Sequence, residues 1–386
     1  MKGKEKSIWQ KNTDSQQKLN NKRRGFMRFD YLFPKRQRAS ESKFGRRDLS
    51  GRDHWQTLDI DEYRIQKPVV ICLGGNGICD DPQDPETGKV RDVGTKKANA
   101  FCRLVESLVG LKIESSNVYS SYRDVDVLGF SYGKDSEDST TGNFSISDVR
   151  KVVNNLLLPL FVSENGEPES VEESAKNFSL VTFFTHCHGS RELDRILSML
   201  HGELLDMGYT SDDVHKIFAH SMQVSYCPLV EEQWVPTVRV ENISDGLNLE
   251  LHEKYRRAFG KSLSGIDVFY DEPDMTMGSH SESRASHPYA DKLRIFTSKM
   301  LNDGSHETVD EHSAFLLERD PDWKILREAT NLDAVSQITA LALAEKIATS
   351  LRNYRNNDGP AERVDLKKIK DYCNIILEGF DENQLR

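Results

Sequence analysis

Several features are missing from this chain of 386 residues, and each absence narrows what it can be. No apolar run approaches the roughly 18 residues that a bilayer-spanning helix needs, so no transmembrane segment is expected. The N-terminus is basic but has no apolar stretch of the signal-peptide kind. The six cysteines stand at 72, 79, 102, 187, 227 and 373 without a C-x-x-C pair. That speaks against a zinc ribbon or a disulfide framework, and reduced thiols in a cytosol are the simplest assumption. There is no G-x-x-x-x-G-K-[ST], and no G-x-G-x-x-G opens a helix, so a nucleotide phosphate loop is not expected. No internal repeat is visible.

Charge is present in quantity but unevenly spread. The chain carries a formal net charge of −10. Residues 1–55 hold about 16 Lys/Arg against about 6 Asp/Glu, which leaves the remainder near −20. Residues 1–55 have few aliphatic side chains and are expected to form a solvated, partly disordered basic extension. Their functional reading is contact with an anionic surface. The acidic body argues against nucleic acid beyond that arm. A cytoplasmic location is expected, and a hydrophilic chain with a basic tail also permits delivery into a host cell.

The stretch around which the rest is ordered is Ser179-Leu180-Val181-Thr182-Phe183-Phe184-Thr185-His186-Cys187-His188-Gly189-Ser190. A β-branched and aromatic run ends in small residues. Leu193, Ile196, Leu197, Leu200, Leu204 and Leu205 then recur at helical spacing. Strand, tight turn and helix in that order form the frame in which G-x-S-x-G enzymes hold a nucleophile. Here Thr185 and Gly189 flank Cys187. The bland reading of Cys187 is a buried cysteine at a strand end, since free cysteine is among the most buried residue types. His186 and His188 flank it too, but three adjacent residues do not converge readily on one tetrahedral ion, so no metal site is expected.

Upstream, Pro68 to Leu73 reads as a strand buried on both faces. It ends in Gly74-Gly75-Asn76-Gly77, where glycine allows close backbone approach to a ligand. A first edge strand is expected at Tyr63–Gln66, helix at Lys97–Leu111 and strand at Asn117–Arg123. Gly129-Phe130-Ser131-Tyr132-Gly133 fits G-x-S-x-G by letter. The polar stretch after Gly133 is no helix, so Ser131 is read as a decoy within a loop. Ser145 or Ser147 caps a helix with Val149, Val152, Val153, Leu156, Leu157 and Leu160 on one face. Glu164–Lys176 reads as an acidic linker.

Downstream, strands are expected at Lys216–Met222 and Trp234–Asn242. Asp245 follows the second, either as a functional acid or as an Asx turn with Gly246. Residues of about 249–292 read as an insertion and Leu293–Ser298 as the last strand. His306 and His312 lie in the region after it. C-terminal helices are expected over about 333–377.

From residue 68 to about 320 this order of segments resembles the α/β-hydrolase superfamily, in particular lipase- and esterase-like members. The resemblance is one of topology, with a cysteine where most members have serine, as in dienelactone hydrolase-like enzymes, and Thr185 where the first elbow glycine stands. It implies an α/β fold, a mostly parallel sheet flanked by helices, occupying 56–386 behind the basic extension. It implies a Cys187–His–Asp245 triad, with His312 or His306 as the base, and an oxyanion hole from the backbone of Gly75, Asn76 and His188. The reaction implied is hydrolysis of a small-molecule or lipid ester or thioester without a cofactor. The alternative is a non-catalytic binding or effector protein of the same fold, acting through protein or membrane-surface contacts.

Overall fold

A computed structural model describes residues 40–48, 55–75, 78–79, Gly94, Thr95, Ala98, Asn99, Phe101, Cys102, Val105, 125–134, 142–226, 228–229, 234–242, 265–270, 332–356 and 359–373. The strands are β1 (Lys43–Asp48), β2 (Trp55–Thr57), β3 (Val69–Leu73), β4 (Asp126–Ser131), β5 (Val181–His186), β6 (Met222–Tyr226), β7 (Thr237–Asn242) and β8 (Gly265–Tyr270). They form one sheet in the order β2-β1-β4-β3-β5-β6-β7-β8. β1 runs antiparallel to both neighbours, and every pair from β4 to β8 is parallel. Among the described residues the helices include α1 (Ile146–Lys151), α2 (Val171–Phe178), α3 (His188–Asp206), α4 (Ser211–Phe218) and α5 (Leu332–Arg355), with further helical residues at 366–373. A π-helical segment, Val152–Leu157, and a 3-10 turn, Leu158–Phe161, continue α1. The chain is therefore an α/β protein with a mostly parallel sheet, and no helix among the described residues is long and apolar enough to cross a membrane.

The central strands are apolar because they are covered on both faces. Every residue of β3 and β4 is buried, as is β5 up to Thr185. Phe178 of α2 stacks on Phe218 of α4 with centroids 5.1 Å apart, locking those two helices together. α3 packs on β3 and β5, and α5 lies against β5, β6 and β7.

Parallel strands put their C-terminal ends on one edge. β3 has β4 on one side and β5 on the other, so the chain reverses its direction of travel across the sheet between β3 and β5. Ligands of open α/β sheets bind at such a switch point, beyond the carboxyl ends of the strands. There the chain places Gly74-Gly75 after β3 and Cys187 after β5.

Several expectations are corrected. Sheet structure starts at Lys43, inside the stretch read as the basic extension, rather than near Trp55. The charge of Lys43–Asp48 hid a strand whose Phe44 and Arg47 are buried. Arg46 of this strand reaches the buried Asp126 at the start of β4 (Nε to Oδ1, 3.0 Å), which Lys67 also meets at 3.0 Å. Tyr63–Gln66 is not a strand. Asp59 accepts from the Asp61 amide in an Asx-type turn, and Tyr63 donates its hydroxyl to Asp126 at 2.9 Å. Burial and that carboxylate push the Tyr63 phenol well above its ordinary range.

Asp126–Ser131 is a central strand rather than a loop. Its Gly129 sits opposite Gly45 on one side and Cys72 on the other. The acidic linker contains α2, capped by Ser170 and carrying Glu172 and Glu173 in its first turn, where negative charge favours a helix. Ser211–Phe218 is helix, whereas the sequence predicts a strand from residue 216. Thr210 and Asp213 form a capping box, and Val214, Ile217 and Phe218 share its buried face. The next strand is Met222–Tyr226. β8 falls inside the 249–292 stretch assigned to an insertion. Ser145 rather than Ser147 is the cap of α1, with Asp148 closing the box. The strand expected at 117–123, that at 293–298, and the remainder of the insertion lie outside the described residues.

Candidate active site

Cys187 links β5 directly to α3 with φ 51° and ψ −121°. Among the described residues it is the one non-glycine with positive φ. An L-residue held there costs on the order of 1–3 kcal/mol, a cost that persists where surrounding structure fixes it. That structure is visible. Ser190 donates both its amide (3.1 Å) and its hydroxyl (2.8 Å) to the Cys187 carbonyl. The same hydroxyl accepts from the Leu229 amide at 2.8 Å. The backbone strain gives a direct expectation. Cys187→Gly should be more stable than Cys187→Ala by about 1–3 kcal/mol, since both lack the thiol and only alanine keeps the strain. Chemical denaturation of the two variants measures it.

Gly189 explains how α3 starts so close to β3. A Cβ there would collide with the carbonyl carbon and oxygen of Leu73 and lie 2.8 Å from Gly74 O. The helix is thus pressed against the end of β3, which brings Gly75 beside the elbow. A Cβ on Gly75 would lie 3.5 Å from His186 Nδ1 and 3.9 Å from Cys187 Cβ. Thr185, in the place of the first elbow glycine, is fully buried. Its hydroxyl contacts Ser225 Oγ at 2.7 Å and accepts from Gln223 Nε2 at 2.9 Å. This position therefore holds a hydroxyl because β6 supplies polar partners for it.

The two flanking histidines turn to different neighbours. His186 lies against Phe101, with ring centroids 6.4 Å apart. His188 is mostly buried, and its Nε2 is 2.9 Å from Glu192 Oε1, although the ring N–H is not aligned for a hydrogen bond. Glu192 is 1% exposed, and its other oxygen accepts from Arg195 Nη1 at 2.6 Å. The guanidinium also donates to Phe144 O at 3.0 Å. The His188 side chain is thus engaged along α3, while its backbone amide stands at the helix start, where amides have no partner within the helix.

Of the residues read from the sequence, the structure brings Gly75, Cys187 and His188 together. Asn76, Asp245, His306 and His312 lie outside the described residues. β7 ends at Asn242, so Asp245 follows three residues beyond its C-terminal end in the chain. Ser131 is the last residue of a buried strand and is 2% exposed, with no helix after it in the described chain up to Lys134. The sequence reading missed Tyr132, Ser190 and Glu192. Tyr132 was in view inside the G-x-S-x-G look-alike, but a tyrosine after a strand carries no signal of its own until its hydroxyl is seen bound to Gly74 O at 2.8 Å.

No family model matches the chain, and no curated protein matches its sequence. Among solved structures it is similar to an esterase of Pyrobaculum calidifontis, with 11% identity and a TM-score of 0.29 over 65% of this chain and 76% of that one. It is also similar to an arylesterase (8% identity, TM-score 0.30, 75% of this chain and 98% of that one). A fungal esterase from Rhizomucor miehei gives 12% identity and a TM-score of 0.30, over 72% of this chain and 79% of that one. At these identities and scores the likeness assigns no residue a role.

Proposed function

We propose that the chain is a cysteine hydrolase of the α/β-hydrolase kind, cleaving a small-molecule or lipid ester or thioester. The observation that carries the reading is the strained Cys187, held at the β3/β5 switch point beside Gly75. Strain of this kind clusters at functional sites, and a purely structural cysteine at a strand end has no need of it. The Cys187 thiolate attacks the carbonyl carbon, since the thiolate is the reactive form of cysteine. A histidine, His312 or His306, takes the thiol proton and returns it to the leaving alcohol or thiol. Asp245 orients that imidazole. Backbone amides of Gly75, Asn76 and His188 hold the negative oxygen, usually the largest single contribution to such catalysis. Water then attacks the acyl-cysteine, the same histidine accepts its proton, and the free acid leaves.

The test is turnover of p-nitrophenyl acetate with mass analysis of the trapped acyl-enzyme. Cys187→Ala should abolish both the nitrophenol burst and the acetyl adduct. His312→Ala or His306→Ala should slow the burst by about 100-fold or more, in the range that general acid–base catalysis contributes. Ser131→Ala should behave as wild type. An adduct that survives Cys187→Ala, or a burst indifferent to both histidines, ends the reading.

A further inference from the structure

The loop beside Cys187 is tied down by Tyr132. Tyr132 follows β4 and is fully buried. Its hydroxyl donates to Gly74 O at 2.8 Å, and its amide donates to Ile78 O at 2.8 Å. Ile78 in turn donates its amide to Gly75 O at 3.0 Å. One residue therefore holds both ends of the short loop that leaves β3. The Tyr132 ring also meets the His188 ring edge-on, with centroids 5.8 Å apart, and packs against Phe144 at 5.0 Å. It thus touches both halves of the proposed oxyanion hole, the loop after β3 and the first residue of α3.

The peptide joining Gly74 to Gly75 is planar and trans, so its C=O and N–H point in opposite directions. Fixing the carbonyl fixes the N–H. Two consecutive glycines supply no side chain that could do so, and they are the residues with the most backbone freedom to lose. The external hydrogen bond has to take that part. We propose that Tyr132 is the positioning residue of the oxyanion hole, its hydroxyl holding the Gly74–Gly75 peptide plane so that the Gly75 amide is aimed before the substrate arrives. The proposal rests on the cysteine-hydrolase reading above. Burial, and after it the carboxylate of Glu192, pushes the Tyr132 phenol well above its ordinary range, which favours the protonated, donating hydroxyl. Tyr132 touches no reacting atom, and its effect runs through Gly75.

Tyr132→Phe in the full chain removes the hydroxyl and keeps the ring against Phe144 and His188. Acylation by p-nitrophenyl acetate should fall about 10-fold or more, part of the 10²–10³ that a direct oxyanion donor contributes. The loss should appear in kcat, with KM within about two-fold, because the amide is needed in the transition state and not for ground-state binding. Alkylation of Cys187 by iodoacetamide, which forms no oxyanion, should keep its wild-type rate. The preference for an ester over its thionoester should shrink, since sulfur fits an oxygen-sized hole poorly and a loosened hole discriminates less. A second variant serves if Tyr132→Phe fails to unfold cooperatively. Glycolate incorporated at position 75 replaces the amide with an ester and removes the N–H itself, and the full loss of a direct donor, about 10²–10³ in acylation, is expected. Wild-type acylation in either folded variant, or an equal fall in alkylation and acylation, overturns the role of Tyr132. Esterase activity that survives Cys187→Ala overturns instead the reading on which it rests.

Discussion

Gly189→Ala should be among the most damaging single substitutions in this chain, with an expected loss of about 3 kcal/mol or more. Its Cβ would enter the Leu73 carbonyl group and crowd Gly74 O. These are backbone atoms of β3 and its exit, so no rotamer change makes room. Either α3 lifts off the sheet or β3 bends, and both disturb a core in which Leu73 and Leu193 are almost wholly buried. Overpacking of a side chain typically costs about 1–3 kcal/mol, and a clash with two backbone groups belongs at or beyond the upper end. Against a total stability of about 5–15 kcal/mol for an ordinary domain, that is a large share. On the proposed function, turnover should suffer more than stability, because the same movement separates Cys187 from Gly75. The control lies on the same helix. A Cβ added at Gly202 would meet nothing within 4 Å, and alanine is favoured over glycine in a helix by about 1 kcal/mol. Gly202→Ala should therefore raise the denaturation midpoint while Gly189→Ala lowers it. Equal effects from the two would remove the argument that β3 and α3 are in forced contact.

The same geometry shows why the elbow could be read from sequence and much else could not. The strand before Cys187, the turn and the amphipathic α3 are local signals, each set by residues within a few positions of one another, and they were found. So was the buried run of β3 and the long C-terminal helix α5. β4 was missed because its identity as a strand depends on partners far away in sequence. Its Gly129 pairs with Gly45 on one side and Cys72 on the other, neither of them near it in sequence. β1 was hidden for a related reason. Its arginines read as solvated charge until Asp126, about eighty residues on, is seen to neutralise Arg46. At α4 two local signals competed, a short apolar run against a capping box, and the cap prevailed. At the candidate site, the closeness of Cys187 and Gly75 follows from strand ends and a glycine pair, which carry their own signature in the sequence. Tyr132 carries no such signature, because what it does is a long-range bond to a backbone carbonyl.

Lys346 carries the second large prediction, and it is one of pH. The residue sits on α5, fully buried, and donates to Ser179 O at 2.6 Å and His220 O at 2.8 Å. Ser179 closes α2 and His220 follows α4, so one ammonium ties α5 to the ends of two helices, where positive charge is favourable. No carboxylate is among its hydrogen-bond partners in the described residues. Glu345 beside it is taken by Lys368, and Glu362 by Arg352. The neighbouring His220 is itself held low, mainly by burial, and Arg363 lies against its ring. Burial lowers the Lys346 pKa from 10.5 to about 7. The two carbonyls oppose that shift by favouring the charged form, but complete burial sets the direction.

The unfolded chain then binds more protons than the folded one between about pH 7 and the ordinary lysine value, so stability rises with pH across that window. Between about pH 7 and 8.5 the gain is about 1–2 kcal/mol. Above that, buried thiols such as Cys373, raised to about 11, act in the opposite direction, because they stay protonated in the folded state while the unfolded chain ionises, so stability falls as pH climbs through that range. Comparing wild type with Lys346→Met cancels their contribution. Methionine fills a similar volume and carries no charge, but leaves His220 O without this donor, while Ser179 O keeps the hydroxyl of Ser350 at 2.7 Å. The variant should be less stable than wild type by about 1–3 kcal/mol at pH 8.5, the cost of a buried acceptor losing its partner. The gap should narrow toward pH 6, where wild type carries the full penalty of a buried ammonium and methionine carries none. Urea denaturation at pH 6, 7 and 8.5 reads both effects. Parallel stability curves for the two proteins would mean that Lys346 keeps its proton throughout, with the carbonyls of Ser179 and His220 outweighing its burial.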